Sequence, residues 1–151
     1  MNFDFLISIM KISIINGPNL NLLGSREVDV YGSQTFESFI EELKNAYPAI
    51  IFHYFQSNVE GELINELQRA GKECDGIILN PAGYTHTSVA IGDAIAAISA
   101  PVIEVHISNI FSRESFRSIS HVSAKAKGVI SGLGLKGYEL AVQWFLNNVS
   151  N

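Results

Sequence analysis

Short runs of β-branched and aromatic residues alternate along this chain with longer stretches whose apolar residues recur every three or four positions. The first rhythm marks buried strands and the second marks amphipathic helices. Residues 11–15, 50–55, 76–79, 101–107 and 128–131 read as strands. After the first of them, Phe36, Phe39, Ile40 and Leu43 take helical spacing, with Thr35 as N-cap and Pro48 as the stop. Ser57 and Glu60 form a capping-box pattern before a helix that turns Leu63, Ile64, Leu67 and Ala70 inward and ends at Gly71. Residues 88–99 read as a helix that is apolar almost all round. Such a helix is usually covered on more than one face, as at a subunit contact, and Asp93 within it then needs a partner. Residues 112–116 read as a helical turn, and residues 138–148 as the last helix.

Strand and helix alternate without an internal repeat or linker, which predicts a three-layer α/β domain around a parallel five-stranded sheet over residues 10–151. Residues 1–9 stand apart. They are apolar but lack a basic start and a small-residue cleavage site, so they do not read as a signal peptide. Met10 as the natural start, or an additional strand segment, both account for them.

Polar groups collect at one end of this sheet. Asn16, Asn19, Asn21, Arg26, Glu27 and Tyr31 follow the first strand in the stretch NGPNLNLLGSREVDVYG. Ser57 and Asn58 follow the second strand, NPAGYTHT (residues 80–87) follows the third, and Glu104 and His106 close the fourth. In α/β sheets, ligands bind beyond the carboxyl ends of the strands, so this one-sided loading predicts the site.

Composition narrows the partners. A net charge of −5 argues against nucleic acid or an anionic membrane surface. The chain has 47% apolar and only 17% charged residues, a folded composition in which other subunits could cover some apolar surface. Cys74 is the single cysteine, which excludes an intrachain disulfide, fits a reducing, cytoplasmic setting, and reads as a structural residue. No apolar run reaches the roughly 20 residues of a membrane span.

Several motifs carry chemistry. Glu104 and His106 are two apart on a strand and share a face, so a carboxylate orients an imidazole that can serve as a general acid. A metal site from His86, His106 and Glu104 lacks any recognised spacing, and a triad from Ser88, His86 and Asp93 lacks a nucleophile elbow. GLGLKG (residues 132–137) spells a dinucleotide fingerprint but comes too late in the chain, so it reads as a tight turn. Arg113 and Arg117 lie on one face if their segment is helical, suited to a carboxylate, a polyol or a tyrosinate. Tyr31 becomes a base only beside a guanidinium, from Arg26 or Arg113. His53 and His121 have no evident partner.

NGPNLNLLGSRE…YG, QSN.EGELI, NPAGYTHTSVAI.DA, E.HISN…RE.FR and A.G.I.G.G..GY.LA together resemble type II 3-dehydroquinate dehydratase, from about Met10 to Trp144. The resemblance implies a flavodoxin-like fold, a dodecamer built from trimers, and no metal or cofactor. It implies loss of water from 3-dehydroquinate to give 3-dehydroshikimate through an enolate, in the shikimate route to aromatic amino acids. Tyr31 then matches the base and Arg26 the essential lid arginine. Asn19 matches the enolate-stabilising asparagine, and His106, oriented by Glu104, the acid. Asn80, His86 and Arg117 match the residues that hold ring hydroxyls, and the main chain at Ile107 and Ser108 holds the carboxylate. Asp93 matches an aspartate from a neighbouring subunit, and Arg113 an arginine that helps activate the tyrosine. Val28 replaces a proline usual in the pattern, and Gly92 an arginine. A second reading, a flavodoxin-like module that binds a small anion or nucleotide without chemistry, has no use for a phenol base at Tyr31.

Overall fold

A computed structural model of the chain describes residues 9–25, 29 and 32–149. Five strands form one parallel sheet: β1 (Met10–Asn16), β2 (Ile50–Gln56), β3 (Gly76–Asn80), β4 (Val102–His106) and β5 (Gly128–Ser131). Their order is β2-β1-β3-β4-β5, and all four pairings are parallel. The chain winds outward in one direction from β1 to β2 and in the other from β3 to β5. The sheet therefore has its topological switch point between β1 and β3, where such folds open a crevice.

Among the described residues four α-helices pack on this sheet: α1 (Phe36–Ala46), α2 (Glu60–Glu73), α3 (Val89–Ala97) and α4 (Lys136–Asn148). Strand side chains alternate between two cores. Ile12, Ile14, Ile78, Ile103 and Val105 face α1 and α4, against Phe36, Phe39, Tyr138 and Phe145. Ile15, Ile77, Leu79 and Val102 face α2 and α3, against Leu63, Leu67, Ile91 and Ile95. Each such side chain, fully buried, contributes about 1.5–3 kcal/mol of hydrophobic stabilisation. Phe36, Phe39, Ile40 and Leu43 form the buried face of α1, and the Thr35 hydroxyl caps it by accepting from Ser38 N–H at 3.2 Å.

Local expectations fail at particular points. Helix α2 runs through Gly71 to Glu73. A Cβ on Gly71 would lie 2.7 Å from Ile98, so the glycine admits a neighbouring side chain instead of ending the helix. Ser57 does not form a capping box with Glu60. Its hydroxyl accepts from Val59 N–H at 2.9 Å and donates to Glu62. The segment after β4 is not one helical turn but two 3-10 turns, Ile110–Ser112 and Ser115–Ser118, separated by an extended Arg113. His53 does have partners: its Nδ1 lies 3.2 Å from Glu66 Oε1, and Arg69 ties Glu66 to Glu73. Helix α3 is not covered all round in the single chain, where Val89, Ala90, Asp93, Ala96 and Ala97 are exposed.

Candidate active site

A cavity of about 140 Å³ opens at the carboxyl edge of the sheet, over the switch point. Its polar lining comes from the loops after β1, β3 and β4: Asn19, Asn80, His86, His106, Ser108, Arg113 and Arg117. Leu20, Leu22, Leu23, Ile107 and Ile110 supply an apolar wall. Amide, imidazole, hydroxyl and guanidinium groups thus converge on one small space.

The loops hold one another in place. Gly17 N–H donates to the Asn80 carbonyl at 2.7 Å, and a Cβ on Gly17 would lie 2.6 Å from the Pro81 carbonyl oxygen. Only glycine allows β1 and β3 to exit this close together. Asn58, after β2, ties the loop after β1 to the loop after β3. Its Oδ1 accepts from Asn19 N–H at 3.0 Å and from Gln56 Nε2 at 3.1 Å, while its carbonyl accepts from the Tyr84 hydroxyl at 2.7 Å. This fixes Asn19, whose backbone is left-handed at φ 69°. The Asn19 carboxamide makes no hydrogen bond among the described residues. Ala82 is also left-handed, at φ 52°, with its N–H donating to Asn80 Oδ1 at 3.1 Å. Left-handed residues other than glycine cost about 1 kcal/mol each and gather at functional sites.

Glu104 and His106 meet as their spacing on β4 predicts. His106 Nε2–H donates to Glu104 Oε1 at 2.5 Å, and both side chains are buried. That bond leaves His106 Nδ1 for a ligand. Glu104 Oε2 is buried and makes no hydrogen bond among the described residues, so the carboxylate has no competing anchor. His86 donates Nδ1–H to the Ile119 carbonyl at 2.7 Å and keeps Nε2 as an acceptor.

Arg113 and Arg117 both reach the cavity although no single helix carries them. Arg113 approaches Ser108 Oγ at 3.5 Å. Arg117 donates to Glu114, and its guanidinium holds that exposed carboxyl below its usual range. The GLGLKG turn braces the loop after β4, since Gly132 and Gly134 donate to the carbonyls of His106 and Ile107 at 3.1 and 3.0 Å. Both glycines have positive φ, as a tight turn requires.

Asp93 is exposed on α3 and does not line this cavity. Arg26 and Tyr31 lie outside the described residues, as does Val28. No lysine of the chain lines the cavity, and among the described residues no group of three His, Cys, Asp or Glu side chains is placed to hold a metal ion. Sequence reasoning placed Asn58 at this edge of the sheet but missed Gln56 and Ala82 as organisers of the site. The Asn-Pro-Ala-Gly string was the available signal for the last of these, because an asparagine two residues before a backbone N–H forms this turn.

The profile of the family described as dehydroquinase class II matches residues 10–146. The 3-dehydroquinate dehydratase of Fusobacterium nucleatum is 52% identical over 143 residues, covering 91% of this chain and 97% of that protein. The enzyme of the same name from Psychromonas ingrahamii is 48% identical over 144 residues, covering 94% and 97%. The crystal structure of type II dehydroquinase from Butyrivibrio crossotus superposes with a TM-score of 0.88 at 46% identity, over 93% of this chain and 99% of that one.

Proposed function

This chain belongs to the class II dehydroquinase family, and we propose from that premise that it dehydrates 3-dehydroquinate to 3-dehydroshikimate through an enolate, with Tyr31 as base and His106 as acid. The observation that carries this reading is the buried Glu104–His106 pair opening into a cavity walled by amide, imidazole and guanidinium groups. Removing a proton beside a ketone requires a base and a place for the enolate charge, and expelling a hydroxyl requires an acid.

In the first step Tyr31, as phenolate, takes the proton from the carbon next to the ketone, and the electron pair moves onto the ketone oxygen. Arg26 and Arg113 favour the phenolate by their charge. Asn19 holds the enolate oxygen through a water, a task for which its uncommitted carboxamide is suited. In the second step the enolate collapses, the carbon–oxygen bond to the tertiary hydroxyl breaks, and His106 Nδ1–H protonates the departing oxygen as water. Glu104 holds the imidazolium in orientation before that transfer. Asn80, His86 and Arg117 hold the ring hydroxyls, and the main chain at Ile107 and Ser108 receives the carboxylate. The uncommitted Nε2 of His86 supports its part, because a hydroxyl can donate to it.

The exposed apolar positions of α3 beside an exposed Asp93 support assembly through this helix, in trimers that build a dodecamer, with Asp93 entering a neighbour's cavity. Assembly would also cover the hydrophobic side chains that the single chain leaves exposed. The enzyme acts in the cytoplasm, in the route to aromatic amino acids, without a cofactor.

The test is a continuous ultraviolet assay of purified protein with 3-dehydroquinate, following the conjugated enone of the product, with and without borohydride. Turnover that survives borohydride is expected, because no imine forms. A folded protein that binds the substrate without turnover would overturn this reading in favour of the binding module.

A further inference from the structure

Tyr138 is fully buried in α4 and does not line the cavity, yet its hydroxyl touches a residue that does. Tyr138 Oη accepts from Asn80 Nδ2 at 2.9 Å and donates to Asn16 Oδ1 at 2.8 Å. Asn80 Oδ1 is taken at the same time by Ala82 N–H at 3.1 Å. A carboxamide offers an acceptor on one atom and donors on the other, and a phenol offers one proton. The Tyr138 proton is committed to an oxygen that can only accept. Turning the Asn80 amide over would therefore set oxygen against oxygen at Tyr138 and nitrogen against N–H at Ala82. Both contacts reject the turned form.

Packing alone does not call for this arrangement. The Tyr138 ring already lies against Phe36 and Phe39, with centroids 5.0 and 5.8 Å away, and a phenylalanine would fill the same space. Instead the core of this face buries a phenol and two carboxamides, and Asn16 Nδ2 makes no close hydrogen bond among the described residues. Burying polar groups costs free energy that a purely structural core avoids. The return is a defined orientation of the one member that reaches the cavity.

We propose that Tyr138 is a positioning residue for substrate recognition: through a chain from Asn16 on β1 to Asn80 on β3, it locks the Asn80 amide so that the cavity meets an N–H donor there. The second Nδ2 hydrogen of Asn80 is uncommitted among the described residues. A substrate oxygen at this point must then accept, which a ring hydroxyl does while its own proton goes elsewhere. This inference rests on the reading that Asn80 holds a ring hydroxyl of 3-dehydroquinate.

A double-mutant cycle of Tyr138→Phe and Asn80→Ala tests it, with kcat and KM measured separately. Tyr138→Phe is expected to raise KM about tenfold with kcat within about threefold, and to change KM less than about twofold once Asn80 is alanine. A phenol that only packs would shift both backgrounds by the same factor, and that additivity would overturn the proposal. Crystal structures supply a readout independent of turnover. With only the Ala82 N–H left to hold it, the Asn80 carboxamide is expected to shift from its parent position in Tyr138→Phe, and an amide left in place with unchanged partners would also overturn the lock. If Tyr138→Phe does not fold, Asn16→Ala takes its place, since it keeps the phenol but removes the acceptor that directs it. Absence of turnover in the parent protein would defeat the functional reading, is seen before any variant is compared, and leaves the crystallographic test of the lock intact.

Discussion

The two faces of the sheet bury polar groups of different kinds. On the face covered by α2 and α3, β4 carries Glu104 and His106, an ionisable pair with one carboxylate oxygen unpartnered. On the face covered by α1 and α4, Asn16, Tyr138 and Asn80 form a neutral chain in which an Asn80 amide proton goes to Tyr138 and the Tyr138 proton to Asn16. Burial pushes the Tyr138 phenol well above its ordinary range, with hydrogen bonds from Asn80 and to Asn16 only partly opposing it, so this chain does not ionise near neutral pH. One face can therefore move a proton and the other can only hold an orientation. The difference separates the two needs of an elimination, chemistry at one carbon–oxygen bond and recognition of the hydroxyls that must stay.

Breaking the ionisable face has the largest effect. His106→Ala is expected to lower kcat by about 10²–10⁴ while KM moves only a few-fold, because proton donation to the leaving hydroxyl is lost. Steady-state kinetics on protein with an unchanged circular dichroism spectrum checks it. Glu104→Gln keeps the shape and removes the charge, and should lower kcat by roughly ten- to a hundredfold, since the imidazolium loses its counter-ion. An equal loss in both variants would mean that the pair acts only as a unit.

The neutral face is probed by stability. Tyr138→Phe strands the Asn80 and Asn16 amides and should cost about 1–3 kcal/mol in urea unfolding. Tyr54 is the contrasting phenol, because its buried hydroxyl makes no close hydrogen bond among the described residues and meets the Asn16 carboxamide only loosely. Tyr54→Phe should therefore cost no more than about 0.5 kcal/mol. The smallest effect is alkaline. Burial raises the Tyr54 pKa from the ordinary 10.0 to about 12. The folded state keeps this proton while the unfolded chain loses it, so the associated stability is whole below pH 10 and drains away as pH rises toward about 12. Tyr54→Phe should flatten that decline in stability curves measured across the same interval.

Much of this contrast could be read from the chain. The period of two on β4 already placed Glu104 and His106 together, and the run of polar loops marked the edge of the sheet that carries the cavity. The arginines were legible as site residues but not as neighbours on a helix, since the extended backbone at Arg113 interrupts the segment. Gly71 was misread as a helix end because propensity describes an isolated helix, whereas Ile98 packs where its side chain would be. The tie between Asn16, Tyr138 and Asn80 spans 122 residues of chain. No local pattern announces such a bond, and a tyrosine in an amphipathic helix looks like any other core aromatic. Tyr31 and Arg26 were legible as polar groups of the first loop, but their roles as base and lid arginine came through resemblance to a family, and both lie outside the described residues.

Gly92 shows how one stretch of backbone can occupy the space of a side chain on another. A Cβ at this position would lie only 2.2 Å from the His121 carbonyl oxygen. The segment around His121 has settled into the space that a side chain would need, and its backbone also donates to the Thr85 carbonyl at 2.9 Å. A side chain introduced at this position alone would thus damage this protein. A replacement at one position has become conditional on a second segment. A side chain at Gly92 becomes tolerable only if the His121 segment moves with it, so the two positions can change only together.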